Sequence, residues 1–254
     1  MPYLMRLMIS LTLLLVTIPA SADEIVSLKA GYMSLSASGK YAATAGGVAG
    51  TPVDVDGTLN LGRSNNVTVE GALNLGDFRI SLNYLPLKFN GSGALNIPVT
   101  YNGQNYNIGD AVNSEIKINV YDAAITWYLI NMDDVPSRLQ IGIEAAVKIT
   151  DVDATLSDQT LGISQTVSKT LPIPTIGLRG RVALADFVGV TARVGYLGYA
   201  GNHFLDAEGQ VEFSPIPTLG IYGGYRYINL KIDQSGVFVD ARFQGPFAGA
   251  FFRF

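Results

Sequence analysis

The chain has 254 residues, with 17 Lys and Arg against 21 Asp and Glu, one histidine and no cysteine; 48% of it is hydrophobic and 15% charged. That apolar content excludes a disordered chain, and the missing cysteine excludes a zinc finger, a thiol enzyme and a disulfide scaffold. The acidic balance argues against nucleic acid, a partner that needs a basic face.

Arg6 is the only charge before Asp23, and a short apolar stretch from Leu7 to Ile18 precedes Ala20-Ser21-Ala22. A positive start, an apolar core and a small-x-small site describe a secretory signal peptide. Residues 1–22 are expected to be removed, leaving 23–254 as one domain. The apolar stretch falls short of the roughly 20 residues of a spanning helix, and no later run is longer.

The remaining apolar residues recur at every second position, which is the strand period. Val26, Leu28, Ala30 and Tyr32 alternate with Ser27, Lys29 and Gly31, and Phe78, Ile80, Leu82 and Tyr84 alternate with Arg79, Ser81 and Asn83. The same pattern runs from Leu139 to Thr150, from Ile176 to Leu184, from Val188 to Tyr196, around Val211 and Phe213, from Ile221 to Tyr227 and from Val237 to Gln244. Ten strands are predicted, near 25–35, 66–76, 78–89, 114–131, 138–153, 174–185, 187–199, 204–214, 218–232 and 237–254, with eight as the alternative count. Within 114–131 the apolar phase changes between Val120 and Ile125, so a bulge near Asp122 is expected, and Pro246 demands another bulge or a break. Connections at 76–77, 131–138, 185–186 and 214–218 are short, whereas 36–65, 90–113 and 154–173 are long and rich in Gly, Asn, Ser, Thr and Asp. Short turns at one end and long loops at the other fit an up-and-down antiparallel transmembrane β-barrel.

Alternation alone does not say which face is outside. The charges do lie in one phase: Lys29, Glu70, Arg79, Glu144, Lys148, Arg179, Arg181, Arg193, Glu208, Glu212, Arg226, Asp240, Arg242 and Arg253. An arginine at the lipid midplane costs about 2–4 kcal/mol, so a spanning strand must segregate its charges this way. Arg79, Glu144, Arg179, Arg181, Arg193, Glu212, Arg226 and Arg242 are the candidates for an ion-pair network across a narrow lumen. Tyr84, Trp127, Tyr128, Phe187, Tyr196 and Phe213 are candidates for interfacial girdles.

The last strand ends on Phe254, with Phe252, Ala250 and Ala248 at alternate positions before it. This ending resembles the terminal strand of bacterial outer-membrane β-barrels, and that resemblance implies that Phe252 and Phe254 are read by the outer-membrane assembly machinery. The segment Ile221 to Tyr227, with Gly223-Gly224, and the Gly245 to Phe254 ending resemble an exported outer-membrane family named for a C-terminal Gly-Gly motif. In size and layout the chain is similar to small OmpA/OmpW-type barrels. The resemblance implies a monomeric barrel in contact with outer-membrane lipid and lipopolysaccharide. In physical terms, Gly223 and Gly224 let a bulky neighbour approach.

Catalysis has little to work with. His203, with Asp206 three residues on, is the one histidine and reads as a solvated loop residue rather than a dyad. Asp54/Asp56, Asp133/Asp134 and Asp151/Asp153 lack a calcium-loop template and read as solvated turns. No cofactor, metal site or enzymatic activity is therefore expected. The expected role is structural or that of a small-solute channel with a lumen partly closed by charged side chains. The alternative is a soluble periplasmic β-barrel that binds a lipid-like ligand in an apolar interior.

Overall fold

The computed structural model describes residues 25–43, 51–54, 57–132, 138–158, 162–185, 187–199, 201–216, 218–234 and 237–254. The signal-peptide expectation, Asp56 and the Asp133/Asp134 pair lie outside them. In chain order the strands are β1 (Val26–Ala43), β2 (Val53–Asp54), β3 (Ser64–Leu75), β4 (Phe78–Ala94), β5 (Val99–Tyr101), β6 (Gln104–Tyr106) and β7 (Ala111–Met132). They continue with β8 (Leu139–Asp158), β9 (Ser164–Ala185), β10 (Val188–Tyr199), β11 (Asn202–Ile216), β12 (Leu219–Gln234) and β13 (Val237–Arg253).

Ten of these form the wall, in the order β1-β3-β4-β7-β8-β9-β10-β11-β12-β13, each antiparallel to its neighbours. Pairing of β13 with β1, from Ser27 opposite Arg253 to Ala43 opposite Val237, closes the sheet. Closure removes both sheet edges, as a wall surrounded by lipid requires. The wall strands run from 12 to 22 residues. A tilted strand crosses a bilayer in about 9–11 residues, so the longer ones continue well past it. Most of the long connection expected at 154–173, and part of those at 36–65 and 90–113, is this continuation.

Near the short turns the apolar phase faces outward. Leu82 is 64% exposed, Ile176 66% and Ile221 60%, whereas Arg226 on the other face is 1% exposed. Aromatics ring this band. Phe78 stacks with Trp127 at 6.4 Å near the turns, and Tyr84 stacks with Tyr121 at 5.0 Å further up. Tyr128, expected in a girdle, points inward instead and is buried, because β7 keeps its even positions in the lumen.

Towards the loops the wall reverses its polarity. Lys117, Asn119, Asp151, Asp153, Ser168 and Thr170 now lie outside, while Leu85, Leu87, Phe89, Ile118 and Val120 fill the lumen. Water replaces lipid outside at this level, so burial of apolar area drives the oily phase inward. This explains the phase change in β7 without the bulge expected near Asp122: pairing of β7 with β4 and β8 is unbroken through that residue. The irregularity falls between Tyr128 and Ile130.

The same reversal moves Asp240 and Arg242 to the outer wall, because Ala241 and Phe243 take the lumen side of β13. Pro246 causes no register shift: the β1–β13 pairing skips it and resumes unchanged from Met33/Phe247 to Ser36/Gln244. The Ser34 carbonyl, opposite Pro246 in that register, accepts from Arg63 Nη2 at 2.7 Å.

Two connections fold over the loop end of the lumen. The β5–β6 hairpin is held by Tyr101 Oη donating to the Ala154 carbonyl at 2.8 Å and Tyr106 Oη to that of Leu156 at 3.4 Å. Burial pushes the Tyr101 phenol well above its ordinary range. Residues 51–54 and 57–61 bring Val53, Leu59 and Leu61 into the same apolar cluster.

Aromatics at the turn end of β12 and β13 pack against backbone. Gly224 faces inward, and a Cβ there would press on the Gly209 carbonyl oxygen and come within 2.6 Å of the Phe247 ring. Gly223 faces outward, with nothing nearer than the Phe247 carbonyl oxygen at 3.7 Å. Gly224→Ala is expected to cost about 1–3 kcal/mol by overpacking, read as a lower urea midpoint of the detergent-folded barrel, with Gly223→Ala close to neutral.

Candidate functional site: the charged lumen

Inward positions at the level of the apolar belt carry the charges. β8 and β9 set Glu144 and Arg179 diagonally on neighbouring strands, Glu144 opposite Gly177 and Arg179 opposite Gly142, and Arg179 Nε donates to Glu144 Oε2 at 2.8 Å. Thr126 Oγ1 donates to the same oxygen at 3.1 Å. Arg226, on β12, grips Asp206 with two bonds, Nε to Oδ1 at 2.9 Å and Nη2 to Oδ2 at 2.8 Å. Such a fork fixes both side chains. Lys148 Nζ reaches Asp122 at 2.5 Å and Asp206 at 3.0 Å.

Arg193 sits among four acids: Asp122 at 3.3 Å, Asp206 and Glu208 at 3.7 Å, and Glu144 at 3.9 Å. Arg79 pairs with Glu70 at 2.9 Å. Nearest the turns, Glu212 receives Lys29 at 3.1 Å, Arg181 at 3.7 Å and Arg253. Lys29 also lies 5.4 Å over the Tyr222 ring.

Seven of the eight residues expected in the network therefore meet in the lumen: Arg79, Glu144, Arg179, Arg181, Arg193, Glu212 and Arg226. Arg242 does not, for it lies exposed on the outer wall beyond the belt. Asp122 and Asp206 are central, although Asp122 is expected at a bulge and Asp206, inside the strand predicted at 204–214, is not among the network candidates. Parity was the available signal: Asp122 shares its phase with Thr126, and Asp206 shares its phase with Glu208 and Glu212.

His203 opens β11 rather than lying in a loop, and its Nε2 is 2.8 Å from Asn229 Oδ1. It faces away from Asp206, whose carboxylate points into the lumen. Asp151 and Asp153 accept from Thr170 and Ser168 on the outer wall, and no cluster that could hold a metal occurs among the described residues. The Phe252 and Phe254 rings lie tilted against each other at 5.2 Å at the turn end.

This is the fold of bacterial outer-membrane β-barrels: a closed antiparallel wall, apolar outside at one level, with the charges turned inward. No family model and no curated protein matches the chain. Among solved structures it is similar to the outer-membrane protease OmpT of Escherichia coli, with a TM-score of 0.54, 12% identity and coverage of 94% of this chain and 99% of that one. Neisserial surface protein A aligns at a TM-score of 0.40 and 11% identity over 93% of this chain and 100% of that one. The translocator domain of the autotransporter NalP from Neisseria meningitidis aligns at 0.45 and 11%, over 97% and 95%.

Proposed function

We propose that the protein is an integral outer-membrane barrel, monomeric, whose lumen is sealed rather than open as in a porin, and whose role is structural. The carrying observation is the stack of two closures in one lumen. A layer of buried ion pairs crosses it at the level of the belt, and an apolar cluster fills it beyond. Ten strands leave a narrow interior that side chains fill.

Short turns face the periplasm in such barrels, which puts the polar-walled half outside the cell. There Lys88 and Lys117, which share Glu115 at 2.7 Å each, offer cations at the height of lipopolysaccharide phosphates. Phe252 and Phe254 are assigned the assembly signal. A soluble periplasmic barrel would bury the apolar phase that this wall presents at Leu82 and Ile176. Proteolysis, named for OmpT, gains no support from His203, which faces away from the lumen carboxylates.

Refolded protein in planar bilayers is expected to give no steady single-channel current. A stable open state in the unmodified chain would overturn the sealed reading.

A further inference from the structure

On the loop side of the charged layer the wall parts. β9 stays paired with β8 up to Ser164 opposite Ser157, but with β10 only as far as Ile176 opposite Tyr196. From Ser164 to Thr175 no strand among the described residues pairs with β9 on the β10 side. Pro172 and Pro174 stand on this free length, opposite Ile149 and Val147 of β8. Pairing with β8 turns their nitrogens toward the β10 side, where proline has no N–H to give. Such residues keep an edge from zipping to a neighbour. The parting begins within the apolar belt: Ile176 shares a rung with Ala145 and Ile125, and Pro172 shares one with Ile149 and Tyr121 of the aromatic ring nearer the loops. Both prolines are exposed on the outer face.

Behind the parting the lumen is apolar. Val167, Leu171 and Leu197 lie half-buried along it against the apolar cluster. Ile173, Phe204, Ile228, Leu230 and Phe243 surround a cavity of about 40 Å³, which Lys148, Asp206 and Arg226 also line. Asp206 pairs with both of those cations, so the cavity offers water few partners and suits hydrocarbon. Lys169 is exposed on the same free length, four residues nearer the loops than Ile173, roughly 13 Å at the strand rise. The neighbouring Asp151 and Asp153 accept from Thr170 and Ser168 on the outer face.

We propose that this parting is a lateral mouth through which the tail of a fatty acid enters the lumen from the leaflet nearer the loops. The tail runs along Leu171 and Leu197 to end between Ile173 and Phe204, and the carboxylate stays outside against Lys169. The bilayer is the reservoir, because the mouth opens inside the belt. The small cavity takes the end of one chain, which selects a single-chain amphiphile over a phospholipid. The site lies beyond the charged layer and does not require that layer to block current.

The test uses the full chain folded into phosphatidylcholine vesicles with a palmitate that carries a photoreactive diazirine near its methyl end. Mass spectrometry locates the adducts. Labelling of Ile173, Phe204 or Leu230 is expected, and excess oleate should abolish it. Lys169→Gln should raise the oleate needed about threefold, the scale of one exposed charge pair. Lys117→Gln, an exposed cation on the outer wall, should leave it unchanged. Phosphatidylcholine carrying the same diazirine should mark only outward residues such as Ile125 and Ile176. Heat-modifiable gel mobility checks that each variant is folded, and the unmodified chain alone gives the adduct map. Palmitate adducts confined to outward residues, or lumen adducts that oleate does not reduce, overturn the mouth. Equal lumen labelling by phosphatidylcholine overturns the single-chain ligand, and an unchanged oleate requirement in Lys169→Gln overturns the carboxylate contact.

Discussion

Asp206→Ala is expected to destabilise the barrel by about 3–5 kcal/mol, the cost of removing one partner from a buried ion pair. The carboxylate accepts both bonds of the Arg226 fork and lies 3.0 Å from Lys148 and 3.7 Å from Arg193. Without it, Arg226 keeps, among the described residues, only Glu208 at 3.6 Å, although it is 1% exposed. Lys148 still has Asp122, so the loss centres on Arg226.

The comparison that isolates the charge effect is Asp206→Leu with Arg226→Met. Replacing a buried pair by apolar side chains is often neutral or better, so the double variant should recover most of the loss. Glu115→Ala gives the opposite limit. Its partners Lys88 and Lys117 are 48% exposed, and such pairs contribute about 0–1 kcal/mol. Denaturant unfolding in vesicles, followed by tryptophan fluorescence and gel mobility, ranks the variants. A loss at Asp206 no larger than at Glu115 would show that the lumen is wet enough to screen its charges.

The wall was legible because lipid imposes one rule on every strand crossing it. Leu28, Ile80, Ile143, Val194 and Ile221 had to share a face, and a period of two exposes that face in the sequence. All ten strands and the short turns follow from it.

What the pattern left undetermined is the solvent outside. Val237 to Gln244 alternates in sequence as cleanly as Ile221 to Tyr227, yet Val239, Ala241 and Phe243 point into the lumen where Ile221 and Tyr225 point to lipid. Parity alone treats the two alike, which is why it puts Arg242 in the network and makes the change of phase in β7 look like an extra residue. The charged site was legible to the same extent: arginines in the lower wall were placed by parity. Asp122 and Asp206 were not, because each stands where the belt gives way to the water-facing half and the lumen changes from charged to oily.

That boundary makes the second expected result specific to position. Ile125 is 54% exposed on the outer face of β7, between Trp127 of one aromatic ring and Tyr121 of the other. Ile125→Arg should cost about 2–4 kcal/mol, the penalty of a cation near the bilayer midplane. Asn119 is on the same face of the same strand, six residues nearer the loops, where Tyr84 Oη donates to it at 2.9 Å. Asn119→Arg should cost about 1 kcal/mol, the scale of a surface change plus the loss of one part-buried hydrogen bond. Ile118, its neighbour on the inner face, is 8% exposed and packs in the apolar cluster. Ile118→Ala should cost about 2–5 kcal/mol as a core truncation. Ile125→Ala, which removes contacts with lipid only, should cost less. Unfolding in vesicles measures all four. A wall that was apolar-out over its whole height would make Asn119→Arg as costly as Ile125→Arg and Ile118→Ala nearly free. A fully soluble barrel would tolerate Ile125→Arg. Only a barrel that turns its polarity over near Asp122 gives a large loss at Ile125→Arg and Ile118→Ala together with a small one at Asn119→Arg.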